Sequence, residues 1–146
     1  MTTSWIKTVT NFPEIRQFIV PDSESMRLCS LLRVTVWEGM IDVYVDGIVF
    51  AIPERWRSKG FERPILKLSF CESSSFKASY SPLRLQKVCA QLLGPTKFAV
   101  TPADLDSADP PLIEIQFGSL LAKVMADPAE LTRELEPSGF ARDLEK

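Results

Sequence analysis

The chain has 146 residues, of which 45 % are hydrophobic and 25 % charged, with a formal net charge of −2 and a pI near 5.2. Such a length and balance suit one globular domain that buries roughly two-thirds of the surface of its unfolded chain, and they argue against disorder. A chain this acidic overall is not expected to track a phosphate backbone, although a local basic patch could still do so, and no nucleic acid is expected as a partner.

In chain order, Asn11-Phe12-Pro13-Glu14 reads as the start of a short N-terminal helix. Proline is tolerated in a first turn, and a carboxylate there meets the positive end of the helix dipole. Phe12, Ile15, Phe18 and Ile19 share one face over about two turns, and Pro21 stops the helix. Trp5, Ile6 and Val9 are expected beside it on the core, and Asp22–Ser25 is a polar connector.

Residues 28–52 read as a β-meander of three short strands. Leu32, Val34 and Val36 alternate with Arg33, Thr35 and Trp37, and Ile41, Val43 and Val45 alternate with Asp42, Tyr44 and Asp46. Asp46-Gly47 between β-branched runs predicts a tight hairpin turn, because a type I′ turn needs positive φ at both central residues. Glu38-Gly39 is a weaker instance, and Ile48–Ile52 becomes the third strand.

A loop from Pro53 to Pro64 carries four cations and two carboxylates around Trp56 and Phe61. Ile65–Cys71 then alternates as a strand, Glu72–Ser75 is a turn, and Ser75–Tyr80 is the returning strand. Ser81-Pro82 and Gly94-Pro95 look like helix start and stop signals, and Leu85, Val88, Cys89, Leu92 and Leu93 recur at helical spacing, which predicts a helix over 82–93. A strand is the competitor there. Lys97–Thr101 and Leu112–Phe117 are strands, and Pro102–Pro111 is an acidic loop between them. Gly118-Ser119 is a turn into Leu120–Ala126, where helical and strand spacings compete and a hairpin favours the strand. Beyond Pro137 the single domain is expected to fray. The fold expected is α+β, mainly antiparallel sheet: the meander, later hairpins, a short N-terminal helix and the helix near 82–93.

Candidate chemistry is sparse. There is no histidine, which removes the commonest general base, metal ligand and triad partner. Cys29, Cys71 and Cys89 show no Cys-x-x-Cys spacing and sit on or beside apolar stripes, as reduced, buried thiols do. The six glycines are never closer than eight residues apart, so no phosphate-cradling loop or nucleophile elbow is present. Asp104, Asp106 and Asp109 miss the calcium-loop spacing and read as a solvated loop, or as negative charge offered to a basic partner. No cofactor, metal or catalytic residue is expected. The longest apolar run, Ile48–Ile52, is far short of a membrane span, and Met1–Lys7 lacks a signal-peptide pattern, so a cytoplasmic address is expected.

Arg55, Trp56, Arg57 and Phe61 are the residue types that dominate binding interfaces. Two alternatives compete with an interface: Arg55, Arg57, Lys59 and Arg63 contact phosphate with Trp56 as a stacking platform, or Trp56 and Phe61 tuck against the sheet edge while the cations stay in water. The pattern Pro53-x-Arg55-Trp56-x-x-x-Gly60-x-x-Arg63, followed by Leu66-x-Leu68-x-Phe70, is similar to one in small bacterial immunity proteins of polymorphic toxin systems, the immunity protein fifty family. Trp5 and the strand pair ahead of the loop extend the resemblance over about residues 5–70. It implies stoichiometric binding and neutralisation of a cognate toxin, without catalysis. The interface expected is Arg55, Trp56, Arg57 and Phe61, with Asp104, Asp106 and Asp109 as a second patch. Two other readings compete: a non-catalytic adaptor or homodimer joined through a sheet edge, and an enzyme working with paired carboxylates.

Overall fold

The computed structural model describes residues 4–26, 29–78, 85–102 and 112–126. Helix α1 (Trp5–Thr8) and helix α2 (Phe12–Ile15) come first, followed by two 3-10 turns, Arg16–Phe18 and Pro21–Glu24. The strands are β1 (Cys29–Trp37), β2 (Met40–Asp46), β3 (Ile65–Cys71), β4 (Ser75–Ala78), β5 (Leu85–Gly94), β6 (Lys97–Pro102), β7 (Ile113–Gln116) and β8 (Ser119–Met125). A single-turn helix, α3 (Glu54–Arg57), lies between β2 and β3. All strand pairs are antiparallel, in the order β4-β7-β6-β5-β1-β2-β3-β8, so the chain has the sheet-dominated α+β fold expected from its alternating segments.

The two ends of that order are covalently continuous. β3 runs into β4 through Glu72–Ser74, and β7 runs into β8 through Phe117–Gly118, so the β3–β8 and β4–β7 pairs are one long ribbon bent at a corner. The sheet therefore closes on itself as a barrel. Phe70 on β3 and Phe98 on β6 stand four places apart in the order, which a flat sheet would hold about 19 Å apart. Their ring centroids are 4.7 Å apart, and Phe117 packs on Phe70 at 4.9 Å.

Alternation fills the interior. Val34, Val43, Leu68 and Ala122 form one register row, Val36, Ile41, Phe70 and Leu120 the next, and Leu92, Phe98, Ile115 and Phe76 another. One end is covered by the N-terminal segment. Trp5, Ile15 and Phe18 are buried there with Ile48 and Phe50. The Trp5 indole N–H donates to the Ser23 carbonyl at 2.9 Å, the Ser23 hydroxyl donates to the Val49 carbonyl, and the Ala51 N–H donates to the Phe18 carbonyl at 2.8 Å. Asn11 then covers the free edge of β8. Its Nδ2 donates to the Ala122 carbonyl at 2.8 Å and its Oδ1 accepts the Ala122 N–H at 2.9 Å, as a neighbouring strand would.

Three expectations are corrected. Ile48–Ile52 is not a third strand: Gly47, at φ 93°, turns the chain away and β3 takes the place beside β2, setting Leu66, Leu68 and Phe70 against Val45, Val43 and Ile41. The helix over 82–93 is replaced from Leu85 onward by β5, since Val88, Ala90 and Leu92 face the core and pair with β6 across a Pro95-Thr96 turn. Gly118-Ser119 and Glu72–Ser75 are not hairpin turns but the bend in the ribbon. There, three residues oppose two, a bulge with Glu72 at φ 55°. Positions 82–84, Asp104, Asp106, Asp109 and the tail beyond 137 lie outside the described residues. Among the described residues no helix is long and apolar enough to cross a membrane.

Candidate functional site

The Pro53–Pro64 loop is a knuckle built from its backbone. The N–H groups of Trp56 and Arg57 donate to the Pro53 carbonyl at 3.0 and 3.1 Å, and that of Ser58 donates to Glu54 O at 2.9 Å. Lys59 and Phe61 both donate to Trp56 O, and Gly60 donates to Arg57 O while adopting φ 84°, which lets the chain leave the turn. Every N–H from Trp56 to Phe61 is thus satisfied locally, by the single turn of α3 and the turn that follows it.

That shape sorts the four expected site residues. Trp56 is half-buried and stacked on Phe18, with centroids 4.9 Å apart and planes inclined by 27°. Phe61 is half-buried as well. Arg55 and Arg57 are exposed, together with Lys59, and the Arg55 guanidinium carbon lies 5.9 Å from the Trp56 ring centroid. The structure brings Arg55, Trp56, Arg57 and Phe61 onto one knuckle, where Trp56 packs on the core and the cations project. Arg63 reaches Asp46 at 3.8 Å with its side chain 85 % exposed, a pair worth little in water.

A second cluster was not legible in the sequence. On the outer face of the barrel, Arg33, Tyr44, Lys67 and Lys123 stand side by side on four strands, next to a row of Thr35, Asp42, Ser69 and Leu121. Tyr44 is fully buried with Ile65 and Met125. The Asp42 carboxylate, its side chain 4 % exposed, lies 3.9 Å from the Lys67 ammonium, which sits 5.8 Å from the Tyr44 ring centroid. Among the described residues, Asp42 Oδ1 and Tyr44 Oη have no hydrogen-bond partner. Burial lowers the pKa of Lys67 against the opposing pull of Asp42, with Lys123 adding to the lowering. Burial raises that of Tyr44, and Asp42 adds to it while Arg33 opposes. Alternation placed Asp42 and Tyr44 on one face, but only the register sets Lys67 beside them.

The thiols are unequal. Cys29 is buried, and its Sγ donates to the carbonyls of Met26 and Val88 at 3.5 and 3.6 Å. Burial pushes its pKa from 9.0 up to about 11, with Cys89 adding to the rise, so this thiol is held neutral and is a poor nucleophile. Cys71 and Cys89 are half-buried and free. Among the described residues no group of three His, Cys, Asp or Glu side chains is placed to hold a metal ion. No family profile, curated protein or solved structure matches the chain.

Proposed function

We propose that the protein acts as an immunity-type inhibitor, binding and neutralising a cognate bacterial toxin in the cytoplasm by surface contact and without turnover. The observation that carries this reading is the knuckle: two exposed arginines fixed on a hydrogen-bonded turn around an anchored tryptophan. Arginine beside tryptophan is the composition of an interface centre, and a preformed turn loses little entropy on docking. The resemblance of the Pro53–Phe70 stretch to immunity proteins supplies the class of partner.

The test is calorimetric titration against the protein encoded beside this chain's gene. A one-to-one complex is expected. Replacing both exposed side chains, Arg55→Ala with Arg57→Ala, should weaken it by about 2 kcal/mol or more, roughly thirtyfold, while leaving the melting temperature unchanged. Trp56→Ala is the less informative variant, because it also removes the ring stacked on Phe18.

A further inference from the structure

We infer that the surface recognised by the knuckle is a carboxylate-bearing protein face rather than nucleic acid, an inference that rests on the binding role proposed above and names the partner's chemistry. Arg55, Arg57 and Lys59 are all exposed within one turn, and Arg16 is exposed on the 3-10 turn that carries Phe18, the ring beneath Trp56. This cationic island sits on a chain whose formal net charge is −2. Long-range attraction to a polyanion is therefore weak, and only a partner that places its negative charge locally gains from the island.

Two features decide between the anions. A base-stacking platform needs a free ring face, and Trp56 has Phe18 stacked on it at 4.9 Å with the Arg55 guanidinium carbon 5.9 Å from its centroid. Glu54 and Glu62 are exposed among the cations. A continuous phosphate backbone meets repulsion from both, whereas a protein face with a few discrete carboxylates does not. Arg55 and Arg57 offer such carboxylates planar, two-pronged donors.

The experiment uses the full chain, labelled for NMR, with two probes of about twelve units each: a peptide rich in Asp and Glu, and an oligothymidine. At about 10 mM salt, where screening extends to roughly 30 Å, the peptide should shift the Arg55 and Arg57 Nε–H and the Trp56 Nε1–H signals ahead of all others. Binding should weaken at least tenfold by about 1 M salt and be lost in the Arg55→Ala/Arg57→Ala variant, which folds as the parent does. Oligothymidine should leave these signals in place. Equal or stronger shifts with oligothymidine, or peptide shifts centred elsewhere, overturn the inference. A toxin complex that depends on both arginines while the peptide leaves them untouched also overturns it, yet leaves the binding role standing. Peptide binding at the knuckle without a toxin complex does the reverse.

Discussion

Gly118 has no room for a side chain. A Cβ there would meet the Glu72 Cβ at 2.9 Å and its carboxylate oxygen at 3.0 Å, across the bulge that bends the β3–β4 and β7–β8 ribbon. Glu72 itself holds φ 55°, a conformation that costs a non-glycine residue of order 1 kcal/mol. Gly118→Ala should therefore destabilise the protein by ~1–3 kcal/mol, and most of that loss should vanish in a Glu72→Gly background, where the obstructing side chain is gone. Chemical denaturation of the four proteins of this cycle measures the coupling; simple additivity would contradict the clash. Cys29 gives a residue-scale prediction in pH. The unfolded thiol ionises above 9.0 while the folded one keeps its proton up to about 11, so the unfolded state gains and stability falls across that window, by ~2–3 kcal/mol. Tyr44 acts in the same direction above 10.0, and Lys67, with its lowered pKa, acts oppositely below 10.5. Cys29→Ala should flatten the fall between pH 9 and 11 relative to the parent in pH-dependent melting; an unchanged slope would rule out the buried neutral thiol.

At the level of elements, β5 is the sharpest disagreement between pattern and fold, and it has a direct probe. Leu92 is 1 % exposed and faces Phe98, while the adjacent Leu93 is 41 % exposed. Leu92→Ala should cost ~2–5 kcal/mol and Leu93→Ala within about 0.5 kcal/mol, whereas both leucines belong to the apolar stripe of the helical reading. The helical spacing was genuine, because Leu85, Val88, Cys89, Leu92 and Leu93 satisfy it. It lost because Val88, Ala90 and Leu92 satisfy a period of two as well, and only the strand gives their backbone partners on β1 and β6. The third leg of the meander failed for a related reason. Asp46-Gly47 did break the strand and Gly47 did take positive φ, but a local turn signal does not choose which later segment pairs with β2. Strands with clean alternation, at Ile65–Cys71 and from Ile113 to Gln116, were legible; their order was not, since the register across Phe117–Gly118 is a long-range property.

At the scale of the whole fold, barrel closure commits most apolar side chains of the described residues to the interior. Interior positions are committed to the Phe70, Phe98 and Phe117 core, Asn11 covers the edge of β8, and the N-terminal turns cover one end. The knuckle stands outside this frame. Its four residues were visible in the sequence as a composition, and so was the reading in which the aromatics tuck in while the cations stay in water; the ring that Trp56 packs on was not, because Phe18 arrives beneath it from another part of the chain. The Asp42–Lys67 pair was hidden for the same reason, since the two residues lie on different strands and only the register of β2 on β3 brings them together. The measurement that bears most directly on the proposed inhibition by contact is a titration of the adjacent gene's product, followed through whatever toxic activity that product has, with increasing amounts of this chain. Activity should fall linearly and vanish at one equivalent, and Arg55→Ala/Arg57→Ala should blunt the break. Complete silencing by a small fraction of an equivalent, or equal inhibition by the double variant, would contradict the account.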